Sequence, residues 1–251
     1  ATATIAGGRS SVRLAASTAG GTPRDDNEGE GVPSTMPDAV RRFFLGPDRG
    51  PALVVLCLSY LVQRRLHLSD FAPPDFVALL SSVVFWWFQE HALHGRLLHS
   101  SYDWIGKRIH RDHHDRPYFH VSIDPPALLL GWLGVACAVL RTAIPDEGIA
   151  LSGAIGYATA GLFYEWAHYI AHTRVKPKSQ FLRSIRDHHI RHHRINEDYW
   201  LGFSVPAVDD WMGTNPEVSQ AREEKKKGRR RRTGRVEGGG ESLGAKRSGG
   251  F

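Results

Sequence analysis

A chain of 251 residues with 41% hydrophobic residues can form one large domain or two small ones, and its net charge of +6 suits an anionic surface or surroundings. Its only two cysteines, Cys57 and Cys137, each lie inside an apolar run, which excludes a disulfide framework and a CxxC metal site. The mean hydropathy of −0.31 points to a soluble protein but misleads, because polar, basic and glycine-rich ends dilute a hydrophobic middle.

Residues 1–37 are rich in Ala, Gly, Ser and Thr and carry Arg9, Arg13 and Arg24. Asp25, Asp26, Glu28 and Glu30 set them apart from a transit peptide, and they are expected to form a disordered leader or targeting segment. Four apolar stretches follow, at about 51–62, 76–88, 126–144 and 148–166. The last two have the length and the Gly, Ala and Ser content of membrane-spanning helices; the first two are shorter and reach that length with flanking residues. Short connections at 63–74 and 142–148 join them as two hairpins.

Both hairpins then open on one side, where Arg96, Lys107, Arg108, Arg111, Arg116, Arg174, Lys176, Lys178, Arg183, Arg186, Arg191 and Arg194 collect. By the excess of positive charge that side is cytosolic; Arg64 and Arg65 lie in the opposite connection. The expected architecture is all-α: an integral membrane four-helix bundle of two hairpins over residues 38–214, with a cytosolic, histidine-rich helical cap. Trp86, Trp87, Phe88, Tyr102, Trp104, Tyr164 and Trp166 fall at the level of an interfacial aromatic belt, some placed to line a channel. From 215 to 251 the hydrophobic residues run out and a basic run begins at Lys225; this tail is expected to be disordered. No aromatic residue interleaves the run, so nucleic acid is not an expected partner.

Histidine carries the chemistry. Of fourteen, all but His67 lie between His91 and His193, and ten form four clusters: His94-x4-His99, His110-x2-His113-His114, His168-x3-His172 and His189-x2-His192-His193. Spacings of three and four return side chains to one helical face, so His110, His113 and His114 can converge, as can His168 with His172. The five-residue step from His94 to His99 does not, which predicts a bend or an end of the helix between them. So many half-buried imidazoles without metal would repel or stay unsatisfied; the clusters predict a metal centre, and their number predicts two ions.

The motifs Glu90-His91-Ala-Leu-His94-Gly-Arg-Leu-Leu-His99, His110-Arg-Asp-His113-His114, Glu165-Trp-Ala-His168-Tyr-Ile-Ala-His172 and Asp187-His188-His189-Ile-Arg-His192-His193 give the chain a resemblance to a known group. It resembles the fatty acid hydroxylase superfamily of integral-membrane di-metal oxygenases, which also holds sterol desaturases and C4-methyl sterol oxidases. The resemblance runs from about 85 to 214 and includes Leu201-Gly-Phe-Ser and Asp210-Trp-Met-Gly-Thr214. The first and third clusters are most similar to those of fatty acid 2-hydroxylases.

The resemblance implies ten metal ligands, His94, His99, His110, His113, His114, His168, His172, His189, His192 and His193, holding two iron ions, with zinc a possible occupant of purified protein. It implies hydroxylation of a lipid acyl chain, a fatty acid or ceramide-linked fatty acid at C2, with O2. Electrons would come from NAD(P)H through a separate cytochrome b5 and reductase or ferredoxin, since no His-Pro-Gly-Gly haem motif occurs in these residues. The setting would be the endoplasmic reticulum membrane, with the plastid as the alternative. Sterol or carotenoid oxidation and a non-catalytic membrane metal-binding protein are the competing readings. His91 and His188 would support the ligands, and His67 and His120 have no assigned part. Glu90, Asp112, Asp115, Glu165 and Asp187 are the expected orienters of the imidazoles.

Overall fold

The computed structural model describes residues 31–46, 49–68, 70–116 and 123–238, and among them every regular element is helical. They are α1 (Met36–Leu45), α2 (Gly50–Leu66), α3 (Pro73–Leu93) continued by a π-helical turn (His94–Leu98), α4 (Ile105–Asp115), α5 (Pro126–Ala143), α6 (Glu147–Ala171), α7 (Gln180–Arg194), α8 (Ala207–Met212) and α9 (Val218–Gly238). Of the leader expected at 1–37, residues 1–30 lie outside the described residues. Its last part is built into the fold: Pro33 is buried, its carbonyl accepts from the Arg174 amide at 2.9 Å, and Thr35 caps α1. Pro37 sits in the first turn of α1, where a missing N–H costs no hydrogen bond.

Two helices are long and apolar enough to cross a membrane, α3 with its π turn at 26 residues and α5 at 18. At 1.5 Å per residue they measure about 39 and 27 Å, against a hydrocarbon thickness of about 30 Å. Leu56 and Tyr60 on α2, Phe76, Val77, Leu80 and Phe85 on α3, and Val135 and Val139 on α5 are all more than half exposed. An apolar surface of that extent is one that lipid covers.

The helix expected as the fourth span, α6, is the core of the assembly. It packs against α2, α3 and α5, and residues from Ser152 to Ala158 other than Ile155 are buried, while Leu151, Ile155 and the exposed Thr159, spaced by four, leave one narrow stripe uncovered. Gly, Ala and Ser at 148–166 therefore serve close helix packing more than contact with lipid. Gly156 marks the tightest approach, since a Cβ there would lie 2.2 Å from the Leu79 carbonyl oxygen of α3. Gly156→Ala is expected to force α3 and α6 apart and destabilise the fold by about 1–3 kcal/mol. Thermal unfolding in detergent measures this; an unchanged midpoint would contradict so close a packing. Cys57 and Cys137 are unpaired and pack in the apolar cluster around Leu133 and Tyr157.

The hairpin expectation is corrected in its pairing. α5 and α6 pack as a hairpin, but α2 and α3, though joined by a short turn, pack chiefly on α6 rather than on each other. What ties their turn is a buried ion pair: Arg65 Nε and Nη2 reach the two Asp75 carboxylate oxygens at 2.8 and 2.7 Å. Ser152 of α6 donates to Asp75 at 2.6 Å, and Arg65 stands over the Phe71 ring. Arg64 pairs with Glu147 at 2.9 Å, so both cations that counted against the expected orientation are matched by carboxylates. All of these lie at the end of the assembly opposite the histidines.

The basic tail differs from expectation over residues 218–238, which form α9. A composition this polar has no apolar face to bury, yet the start of the helix is anchored. Ala221 is fully buried, its carbonyl accepts from Asn196 Nδ2 at 3.1 Å, and Tyr199 donates to Glu224. Residues 239–251 lie outside the described residues.

Candidate metal centre

The helices that carry histidine end together. α3 runs into its π turn, where the His99 amide donates to the His94 carbonyl at 3.2 Å. An i→i+5 bond widens the turn, so residues five apart return to one face. That resolves the five-residue spacing that a straight helix could not satisfy. Gly95 lets the loop after α7 come close, because a Cβ there would lie 2.7 Å from Leu201.

All ten histidines named from the sequence are brought together, in two sets of five. His94, His99, His110, His114 and His192 form one; His113, His168, His172, His189 and His193 form the other, and within each set the ligand atoms lie within 4.8 Å of one another. The expectation that His110, His113 and His114 converge needs correction. His110 and His114, four apart, share a set, whereas His113 points to the other. On α7 His189 and His193 share a set and His192 crosses over. The reason is angular: at about 100° per residue, positions four apart differ by about 40°, while the adjacent pairs His113/His114 and His192/His193 differ by about 100°. Each H-x2-H-H motif thus feeds both sets. The two sets touch, with the His114 and His193 rings stacked at 4.1 Å between centroids.

Within the first set Nε2 atoms face Nε2 atoms at 2.9 Å (His110 and His99), 3.1 Å (His114 and His110), 3.1 Å (His192 and His114) and 3.1 Å (His99 and His192). The second set gives 3.1 Å (His168 and His113), 3.1 Å (His113 and His193), 3.0 Å (His193 and His189) and 2.7 Å (His172 and His189). Five imidazoles converging nitrogen on nitrogen cannot satisfy one another by hydrogen bonds, since each neutral ring has one proton to give. A metal with bonds of about 2.0–2.1 Å puts neighbouring nitrogens about 3 Å apart, which is the spacing found. Burial, and then the nearby imidazoles, drives His114 down to about 2 and His110, His189, His192 and His193 well below the usual range. Burial thus favours the neutral form of these rings, which is the form that ligation requires.

The proton of two of these imidazoles is fixed by backbone. His94 Nδ1 donates to the Leu201 carbonyl at 2.7 Å and His192 Nδ1 to the Tyr199 carbonyl at 2.8 Å, leaving each Nε2 lone pair for the metal. The Glu197 carboxylate faces His99 Nδ1 and His114 Nδ1 at 3.9 and 3.8 Å and pairs with Arg111 at 3.1 Å. The expected acidic orienters do other work. Glu90 accepts from the Ser204 amide at 3.0 Å, Glu165 from the Asp124 amide at 3.1 Å, Asp112 pairs with Arg116, and Asp115 and Asp187 are exposed.

Asp209, which sequence reasoning missed, is the buried carboxylate beside the site. It accepts from the Leu201 and Gly202 amides at 2.9 and 2.8 Å, from Thr214, and from His188 at 2.8 Å. His91 bonds to Thr214 at 2.8 Å, so His91 and His188, left outside the ligand set, both belong to this support. The motif spanning Leu201 to Thr214 was its visible signal. His67 is exposed at the far turn, and His120 lies outside the described residues.

A cavity of about 570 Å³ reaches the imidazoles. Its walls include the apolar Val54, Leu129 and Leu133 together with His94, His110 and His168. Trp86, Trp104 and Tyr164, from the aromatic residues expected in an interfacial belt or along a channel, line it, and Trp86 packs edge-on against Tyr157 at 4.8 Å. The volume suits one small or medium organic ligand.

These features define an all-helical protein with membrane-length helices, capped by two sets of histidines that can hold metal ions. Residues 78–214, more than half of the chain, match the model of the fatty acid hydroxylase family, and the chain belongs to that family. Among solved structures, full-length Scs7p, of which only the hydroxylase domain is visible, is similar at 18% identity and a TM-score of 0.57. The match covers 70% of this chain and 67% of that one, and it shows a shared fold. No curated protein matches the chain.

Proposed function

We propose that the chain is a membrane-bound di-iron oxygenase that hydroxylates a lipid acyl chain, a fatty acid or ceramide-linked fatty acid, at C2. The observation that carries this reading is the largely apolar cavity whose lining includes His94, His110, His113 and His168. The ten histidines would hold two iron ions, which supply the O2 chemistry an unactivated C–H bond needs and which zinc lacks. Apolar walls take the chain out of water and present one carbon to the imidazole sets, while the Leu201 and Tyr199 carbonyls hold the His94 and His192 rings in place. Electrons would come from NAD(P)H through a separate cytochrome b5 or ferredoxin. The cations around α4 and α7 support a cytosolic histidine end in a four-helix membrane bundle, with the endoplasmic reticulum as the membrane.

Expressed in a host with a cytochrome b5 reductase system, the chain is expected to raise 2-hydroxylated acyl chains in total lipid, read by mass spectrometry. Changes confined to sterols or carotenoids would move the chemistry to another lipid. Bound zinc without turnover would leave a metal-binding protein in place of an enzyme.

A further inference from the structure

The two histidine sets are not built alike. In the set of His94, His99, His110, His114 and His192, two rings donate Nδ1–H to carbonyls of one loop, and the Glu197 carboxylate faces two more. In the other set, Nδ1 of His172, His189 and His193 is buried with no hydrogen-bond partner among the described residues. An imidazole whose second nitrogen is bonded has its tautomer and ring angle set before the metal arrives; one without a partner must be ordered by the metal itself.

The loop that does this, Tyr199–Gly202, is itself held in a costly conformation. Trp200 is fully buried with φ +57°, a left-handed backbone rare for a bulky residue. Its amide donates to the Thr214 carbonyl at 2.8 Å and its indole to Asn215 at 2.9 Å. Asp209 clamps the next two amides, and its side chain is fully buried. One carboxylate therefore fixes the stretch whose carbonyls aim His94 and His192, at positions 201 and 199 on either side of Trp200.

We infer that the two metal positions load unequally: the set containing His94 and His192 fills first and holds its ion more tightly, and Asp209 is the positioning residue that gives it this advantage. The inference rests on the metal-binding reading above but not on any substrate or turnover. It gives the Leu201–Thr214 motif a task, since that segment contributes no histidine yet carries the carbonyl that takes the His94 proton and the carboxylate that holds it in place.

The full chain in detergent, stripped with chelator and titrated with Co2+, tests it by the ligand-field absorption of each ion. The wild type is expected to take up two ions in two steps separated by at least about 10-fold in Kd. His172→Ala should abolish the weaker step and spare the tighter one, and His94→Ala should weaken the tighter step. Asp209→Asn should loosen that step by about 10–100-fold while leaving the weaker one in place. Circular dichroism of the metal-free variants checks that they fold; if Asp209→Asn does not, the His94→Ala and His172→Ala comparison decides the order of loading. Two indistinguishable steps, a reversed effect of the two histidine variants, or a folded Asp209→Asn with an unchanged tight step would each overturn the inference and leave the oxygenase reading intact. Failure to bind any metal would remove both.

Discussion

His192→Ala and His193→Ala, neighbours in sequence, are expected to abolish turnover by stripping different metal positions. His192 belongs with His94, His99, His110 and His114, whereas His193 belongs with His113, His168, His172 and His189. Losing even a group that only supports a ligand costs about 10–100-fold in affinity or activity, so losing a ligand should cost at least about 100-fold. Metal analysis should fall from two ions per chain toward one in each variant, and lipid analysis should show no hydroxylated product above background. The same logic pairs His113→Ala with His114→Ala on α4. A His192→Ala protein with full metal content and normal product would sink the ligand assignment.

Asp75→Ala is expected to cost the fold about 3–5 kcal/mol, because it leaves the Arg65 guanidinium buried without its counter-charge. Arg65 is 1% exposed and Asp75 2%, and the pair joins α2 to α3, whose helices pack chiefly on α6 rather than on each other. The Ser152 hydroxyl would lose its acceptor as well. Removing both charges together, as Arg65→Met with Asp75→Leu, should recover most of the loss, since well-packed apolar groups often replace a buried ion pair at little cost. Thermal unfolding in detergent measures both variants. A loss under about 1 kcal/mol for Asp75→Ala would show that the turn relaxes enough to hydrate Arg65.

Much of the site was legible from spacing. The four clusters named all ten histidines that converge, because ligands on helices must recur at three or four residues, and the awkward five-residue step flagged the place where α3 turns π-helical. Composition also gave the four apolar segments. It did not separate spans from core, since Gly, Ala and Ser suit both a lipid-facing helix and one gripped by neighbours; only the burial of most of the α6 surface tells them apart. The basic tail misled for a related reason: charge density argues for disorder, and the anchors on Asn196 and Tyr199 that seat α9 come from a distant stretch of chain.

By itself, then, the sequence determined the donor set, the all-helical class and the presence of membrane-length helices, because periodicity and ligand spacing are local properties of a helix. Tertiary structure decided how ten histidines divide into two sets, since that depends on which side of α4 and α7 each neighbour approaches. It also decided which groups steady them. Proximity in sequence favoured Glu90, Asp112, Asp115, Glu165 and Asp187, but hydrogen bonds act over about 3 Å in space, and the chain brings Asp209 and the Tyr199 and Leu201 carbonyls to that distance instead.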